Sequence, residues 1–147
     1  MPDKDLHTAQ MWHEILMMSS TSEDVEKYSE LMNVSPVEIR ILLMADSSPD
    51  LLLREYTSAL NIPKSTLTSI LNRLEKRHYL KRTISEKDRR SFGLVLDTNG
   101  TAFLQKYLQY QAEIGGRILG GLNGEEQQKL ISLLEKISSY MVRKQRG

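Results

Sequence analysis

In the stretch "PKSTLTSILNRLEK" (63–76), a helical period brings Ser65, Ser69, Asn72 and Lys76 to one side, flanked by Thr68 and Arg73. Lys64 and Thr66 stand at the start of the same stretch. Ser, Thr and Asn are short enough to approach base edges and phosphates, and Arg makes bidentate contact with guanine. The helix start adds free amides and a positive dipole end suited to a phosphate. A second constellation follows at Lys87, Asp88, Arg89 and Arg90, where the chain turns round. Narrow A·T-rich minor grooves concentrate negative potential and attract inserted Arg. Asp88, two residues from Arg90, can hold its guanidinium by a charge-assisted hydrogen bond and aim it. Arg89 and Lys87 are left for phosphates. Each set also has a plainer reading, a solvated helix face in one case and a loop kept soluble by charge in the other.

Charge distribution favours the first reading. Residues 64–90 hold nine Lys or Arg against three acids, a balance of +6. The rest of the chain has eleven basic and sixteen acidic residues, so a net charge of +1 conceals a basic middle between acidic ends. That is the electrostatic footprint of a surface that meets polyphosphate. With no cysteine, disulfides, thiolate metal sites, cysteine nucleophiles and thiol sensing are excluded within the 147 residues. His7 and His13 fall on different faces of a helix, which argues against a metal site with Glu14. No phosphate loop, Ser/His/Asp pattern or paired apolar carboxylates suggests an enzyme or a cofactor. No run approaches the ~18 apolar residues of a membrane span, and the N-terminus lacks the basic start of a signal peptide. A cytoplasmic protein is expected.

The elements that must position these residues follow from periodicity. Residues 5 to about 32 read as helical, with "SSTSE" a candidate break and Ser22 a candidate cap. Ser35, Pro36 and Glu38 are the N-cap, first residue and capping-box partner of the next helix. From Arg54 a short helix turns Tyr56 and Leu60 inward. Helix 63–77 buries Leu67, Ile70, Leu71 and Leu74. "YLKRTI" and "FGLVLD" predict a hairpin around "SEKDRRS". A long helix is expected from about Thr101 to Leu122, and a last one after Asn123 with Leu130, Leu133, Leu134 and Ile137 as its stripe. The glycine pairs 115/116 and 120/121 suit either a bend or close packing. The expected class is mainly α with a small β part (α+β). The architecture is a winged helix-turn-helix with a two-stranded wing at 35–100, flanked by N- and C-terminal dimerisation helices at 1–34 and 101–147. The outer stripes have little globular core to cover; two copies burying them against each other would make a homodimer, which is the expectation, and the plainer reading is that they fold back on their own domain.

The ordered set "STLTSILNRLEKRHYLKR", "DRRSFGLVLDTNG" and "LNGEEQQKLISLLEKI" resembles the MarR family of winged-helix transcriptional regulators. The resemblance runs from about Ser35 to the last helix. It implies a homodimeric regulator, most commonly a repressor, on a pseudo-palindromic double-stranded DNA operator. Helix 63–77 would enter the major groove and the 85–91 wing tip, with Arg90, the minor groove. It also implies release by a small aromatic or phenolic effector between the dimerisation helices and the winged domain, for which Trp12, Leu16, Met17, Tyr28, Met44 and Tyr107 are candidates. Departures from the family pattern are His78 in place of a usual Gly, Tyr56 and Thr57 in place of Leu and Ala, and Asp97 in place of a helix-starting Thr. These predict an altered exit from helix 63–77, different packing before it and a weakened start to the long helix. The rival function is a winged-helix module that binds protein and not DNA. It would expose apolar residues on helix 63–77, which this sequence does not.

Overall fold

The computed structural model describes residues 3–84 and 92–147. The first helical stretch divides as "SSTSE" suggests. Helix α1 (Lys4–Ser19) is capped by Asp3, whose carboxylate accepts the Asp5 amide at 3.1 Å. The Ser19 hydroxyl turns back to donate to the Leu16 carbonyl at 3.0 Å, and the chain leaves the helix at Ser20 in extended conformation. Ser22 is then the first residue of α2 (Ser22–Lys27), not its cap, and a 3-10 turn (Ser29–Asn33) follows.

Helix α3 (Pro36–Ser47) opens on the expected capping box. The Glu38 amide donates to the Ser35 hydroxyl at 3.2 Å, and the Ser35 amide donates to the Glu38 carboxylate at 3.4 Å. Such reciprocal bonds satisfy two amides that a helix start leaves orphaned. Helix α4 (Leu53–Leu60) turns Tyr56 and Leu60 into the core and ends at Asn61, left-handed with φ 53. Asn tolerates that region better than most residues, and the tight turn sends the chain through Pro63 into α5 (Lys64–Lys76). Strands β1 (Leu80–Ile84) and β2 (Phe92–Leu96) pair antiparallel, Leu80 opposite Leu96 and Ile84 opposite Phe92.

Helix α6 (Thr98–Leu119) starts three residues earlier than Thr101. Asp97 is the reason: its carboxylate accepts the Thr98 amide at 2.8 Å and its carbonyl accepts the Thr101 amide at 3.0 Å. The expected weak start is therefore a well-capped one. Gly100 sits in the first turn against the Tyr79 backbone, where a Cβ would run into the Tyr79 carbonyl. Helix α7 (Gly124–Arg146) is capped by Asn123 and Glu126, as their spacing predicts.

The chain forms two compact units. Residues 22–110 hold the core, in which Ile41, Leu42, Tyr56, Leu67, Leu71, Leu74, Leu80 and Leu94 are fully enclosed. All three stripes of the helix-turn-helix and one face of the hairpin meet there. The second unit joins residues 1–21 to 111–147. Within it Arg117 donates to the Ser19 carbonyl at 2.9 Å, and the Gln127 amide donates to the Leu119 and Leu122 carbonyls. Helix α7 buries none of its residues, and Leu133, Ile137, Tyr140 and Met141 are about half exposed or more. No described helix is long and apolar enough to cross a membrane.

Candidate nucleic-acid interface

Helix α5 is held by one face and open on the other. Leu67, Ile70, Leu71 and Leu74 are buried, whereas Lys64, Ser65, Thr66, Thr68, Ser69, Asn72, Arg73 and Lys76 are all exposed. Pro63 gives the helix no side-chain cap, so its first-turn amides point out of the helix end beside Lys64. The exposed groups are not equivalent. The Thr68 hydroxyl donates back to the Lys64 carbonyl at 2.9 Å, which leaves its lone pairs and methyl to face outward. The side chains of Ser65, Ser69 and Arg73 make no hydrogen bond or ion pair among the described residues.

A residue outside the expected set organises the middle of this face. Arg82, on β1, donates from its guanidinium to the Asn72 side-chain oxygen at 3.1 Å. Its Nε lies 3.0 Å from a Glu75 carboxylate oxygen, a solvent-shielded ion contact that is off-line for a hydrogen bond. The sequence did contain a signal for it. In a strand, residues two apart share a face, so Arg82 lies on the side of buried Leu80 and must find a charged partner.

Cations flank α5 on both sides. A groove of about 630 Å³ runs beside α4, α5 and the hairpin, with apolar walls from Leu52, Leu53, Leu67 and Phe92 and cations Arg54, Lys64 and Arg82 around it. On the other side Arg73, Lys76 and Arg77 line a depression of about 320 Å³ with Asn33 and Glu38.

The exit of α5 at His78 is the strained turn that a side chain in a usual glycine position predicts. His78 is left-handed with φ 60, a conformation that disfavours side-chain-bearing residues. Its neighbours secure it. Arg77 donates to the Asn33 carbonyl at 3.1 Å and to the Tyr79 hydroxyl at 3.3 Å, with the Glu38 carboxylate 3.8 Å away. The Asn99 amide donates to the Arg77 carbonyl at 2.9 Å. The Asp97 carboxyl, 3.9 Å from the His78 ring, is held below the usual carboxylate range by the Thr98 amide and by the Lys81 and His78 side chains. Tyr56 faces inward, as its place in α4 predicts. Its ring is completely buried in the core, and its hydroxyl has no hydrogen-bond partner among the described residues.

The wing residues Lys87, Asp88, Arg89 and Arg90 lie outside the described residues. Of the effector candidates, Trp12, Leu16 and Met17 are exposed along α1. Tyr28 is buried, 4.9 Å from the Tyr110 ring, and Met44 and Tyr107 are half-buried against the core.

The MarR family model matches residues 34–92, the stretch from the capping box of α3 to the first residue of β2. The helix-turn-helix (HTH)-type transcriptional regulator PecS of Dickeya dadantii is 35% identical over 88 residues. The match takes in 60% of this chain and spans about half, 53%, of PecS. The HTH-type transcriptional regulator PrsX of Escherichia coli is 30% identical over 130 residues, covering 84% of this chain and 77% of PrsX. The chain belongs to the MarR family. A solved structure of the transcriptional repressor CouR, bound to a 23-mer DNA duplex, superimposes with a TM-score of 0.63 at 25% identity. It covers 91% of this chain and 89% of CouR. MarR proteins are transcriptional regulators and not enzymes, and the winged helix-turn-helix is their fold. In this MarR member the polar face of α5 and its two cationic flanks belong to the matched segment.

Proposed function

We propose that this chain is a homodimeric repressor that binds a pseudo-palindromic DNA operator, with α5 in the major groove and the 85–91 wing tip in the minor groove. The observation that carries this reading is the outer face of α5, polar from Ser65 to Lys76 and bordered on both sides by three cations. Short polar groups in the centre suit base edges and the flanking cations suit the two phosphate walls of a groove. CouR, a repressor of the same fold seen on a DNA duplex, supports it. Lys87, Asp88, Arg89 and Arg90 enter on the strength of the sequence pattern.

The exposed apolar residues of α1 and α7 support the dimer, since a second copy would cover them. Residues 1–34 and 101–147 are assigned to dimerisation and 35–100 to DNA, in the cytoplasm. Release by a small aromatic or phenolic effector rests on the resemblance to the family and on the Met and aromatic side chains at Trp12, Met17, Tyr28, Met44 and Tyr107, with Leu16.

Selection from a pool of random duplexes at about 0.15 M salt tests the proposal. It expects an enriched inverted repeat with half-site centres about one helical turn apart. Weak, salt-sensitive binding without enrichment overturns it in favour of a winged helix that binds protein or a regulator that needs a ligand before it can bind.

A further inference from the structure

We propose that Arg82 is a specificity-determining residue of this DNA interface, because it fixes Asn72 as a hydrogen-bond donor towards the bases. The inference rests on the DNA reading of α5 and goes beyond it to the base that is read.

An unrestrained Asn commonly reads adenine with both halves of its amide, the oxygen accepting from N6 and the nitrogen donating to N7. In Asn72 one of the two lone pairs of the oxygen is already taken by Arg82, which fixes where that oxygen points. A guanidinium carries donors only, so the atom that Arg82 meets at 3.1 Å must be the amide oxygen. Asn72 is an exposed residue, and its NH2 group, unlike its oxygen, has no hydrogen-bond partner among the described residues.

Arg82 is itself restrained. Its Nε sits 3.0 Å from Glu75, and both of those atoms are shielded from solvent. Asn72 and Glu75 lie one turn apart on α5, so a single guanidinium from the hairpin grips two adjacent positions of the helix. Swinging the Asn72 amide round to offer adenine both halves would strain or break a hydrogen bond to a charged donor, a class stronger than neutral pairs. An amide whose NH2 is the uncommitted half matches guanine, which presents O6 and N7 acceptors, or thymine O4, and that half meets the N6 amino group of adenine donor against donor. Asn72 therefore selects guanine or thymine at its base pair.

The test is selection and sequencing of bound duplexes with four proteins: the wild type, Asn72→Ala, Arg82→Met and Glu75→Gln. Asn72→Ala identifies the base pair, as the position whose preference alone disappears. At that position the wild type is expected to favour guanine or thymine over adenine by about fivefold or more, the range of one specific base contact. Arg82→Met frees the amide and should bring adenine to parity or above, with other positions unchanged. Glu75→Gln keeps the shape but removes the charge that restrains Arg82, and should move the preference part of the way. Circular dichroism confirms that each variant is folded, and should Arg82→Met fail to fold, Glu75→Gln decides. Adenine preferred by the wild type, or a preference untouched in the folded variants, overturns this inference alone. So does Asn72→Ala that alters no position. No enriched site for the wild type overturns the DNA reading itself.

Discussion

The hydroxyl of Tyr56 is the clearest energetic liability in the core. The residue is fully enclosed, and its oxygen has no hydrogen-bond partner among the described residues. Burying such a group forfeits its hydrogen bonds to water, at about 1–3 kcal/mol. Tyr56→Phe removes the oxygen and keeps the ring, so it leaves only a small void, costing ~24 cal/mol per Å³. The variant should be more stable by about 1 kcal/mol at pH 7, a rise of roughly 2–4 °C in melting temperature for a chain of this size. Alkaline pH supplies a second, independent signature. Burial, with the charge of Glu55 adding to it, pushes the Tyr56 hydroxyl up to about 12 from an ordinary 10.0. The folded protein thus holds this proton more tightly than the unfolded chain. Its contribution is intact below pH 10 and is lost as pH rises towards 12, whereas Phe loses nothing. The limiting slope is about 1.36 kcal/mol per pH unit, and because the unfolded tyrosine is only half ionised at pH 10, the gap between variant and wild type should widen by roughly 1 kcal/mol between pH 10 and pH 11. Urea unfolding at fixed protein concentration, at pH 7 and across pH 9.5–11, measures both quantities. A variant that loses 1 kcal/mol or more at pH 7 would show that the hydroxyl is bonded. A gap that stays constant above pH 10 would refute the burial argument.

Three further outcomes are expected. Gly100→Ala should destabilise the fold by about 1–3 kcal/mol or more in urea unfolding, because its Cβ collides with main chain, which cannot swing aside. Added Cβ atoms at Gly115 and Gly116 meet nothing within 4 Å in one chain, so replacing both with Ala should raise stability by up to ~1 kcal/mol each. If a second copy packs against them, analytical ultracentrifugation will instead show a weakened dimer. Arg90→Ala should weaken operator binding most where the flanks are A·T-rich, measured by fluorescence anisotropy on matched duplexes; equal loss on G·C-rich flanks would refute minor-groove insertion.

Local physics made much of this fold readable from residue order. Ser35 with Glu38 and Asn123 with Glu126 are capping pairs whose spacing alone places an oxygen opposite an amide. The stripe Leu67, Ile70, Leu71, Leu74 could be buried only by turning Ser65, Ser69 and Asn72 outward. His78 announced a strained helix exit because it stands where the family usually has glycine, and at φ 60 it holds a conformation that glycine adopts freely. The start of α6 was misread for the opposite reason. Whether Asp97 weakens or caps a helix depends on where its carboxylate points, and that is set by packing against the Tyr79 backbone, whose carbonyl accepts the Asp97 amide at 3.0 Å.

The sequence by itself determined which helix presents a polar, cation-flanked face, since hydrophobic periodicity and charge are properties of residue order. What that face offers to a base pair was decided by tertiary structure. Asn72 and Arg82 lie ten positions apart, on a helix and a strand that meet only when both bury their leucines in one core. An amide has no preferred orientation until a charged neighbour supplies one, and only folding brings that neighbour within reach.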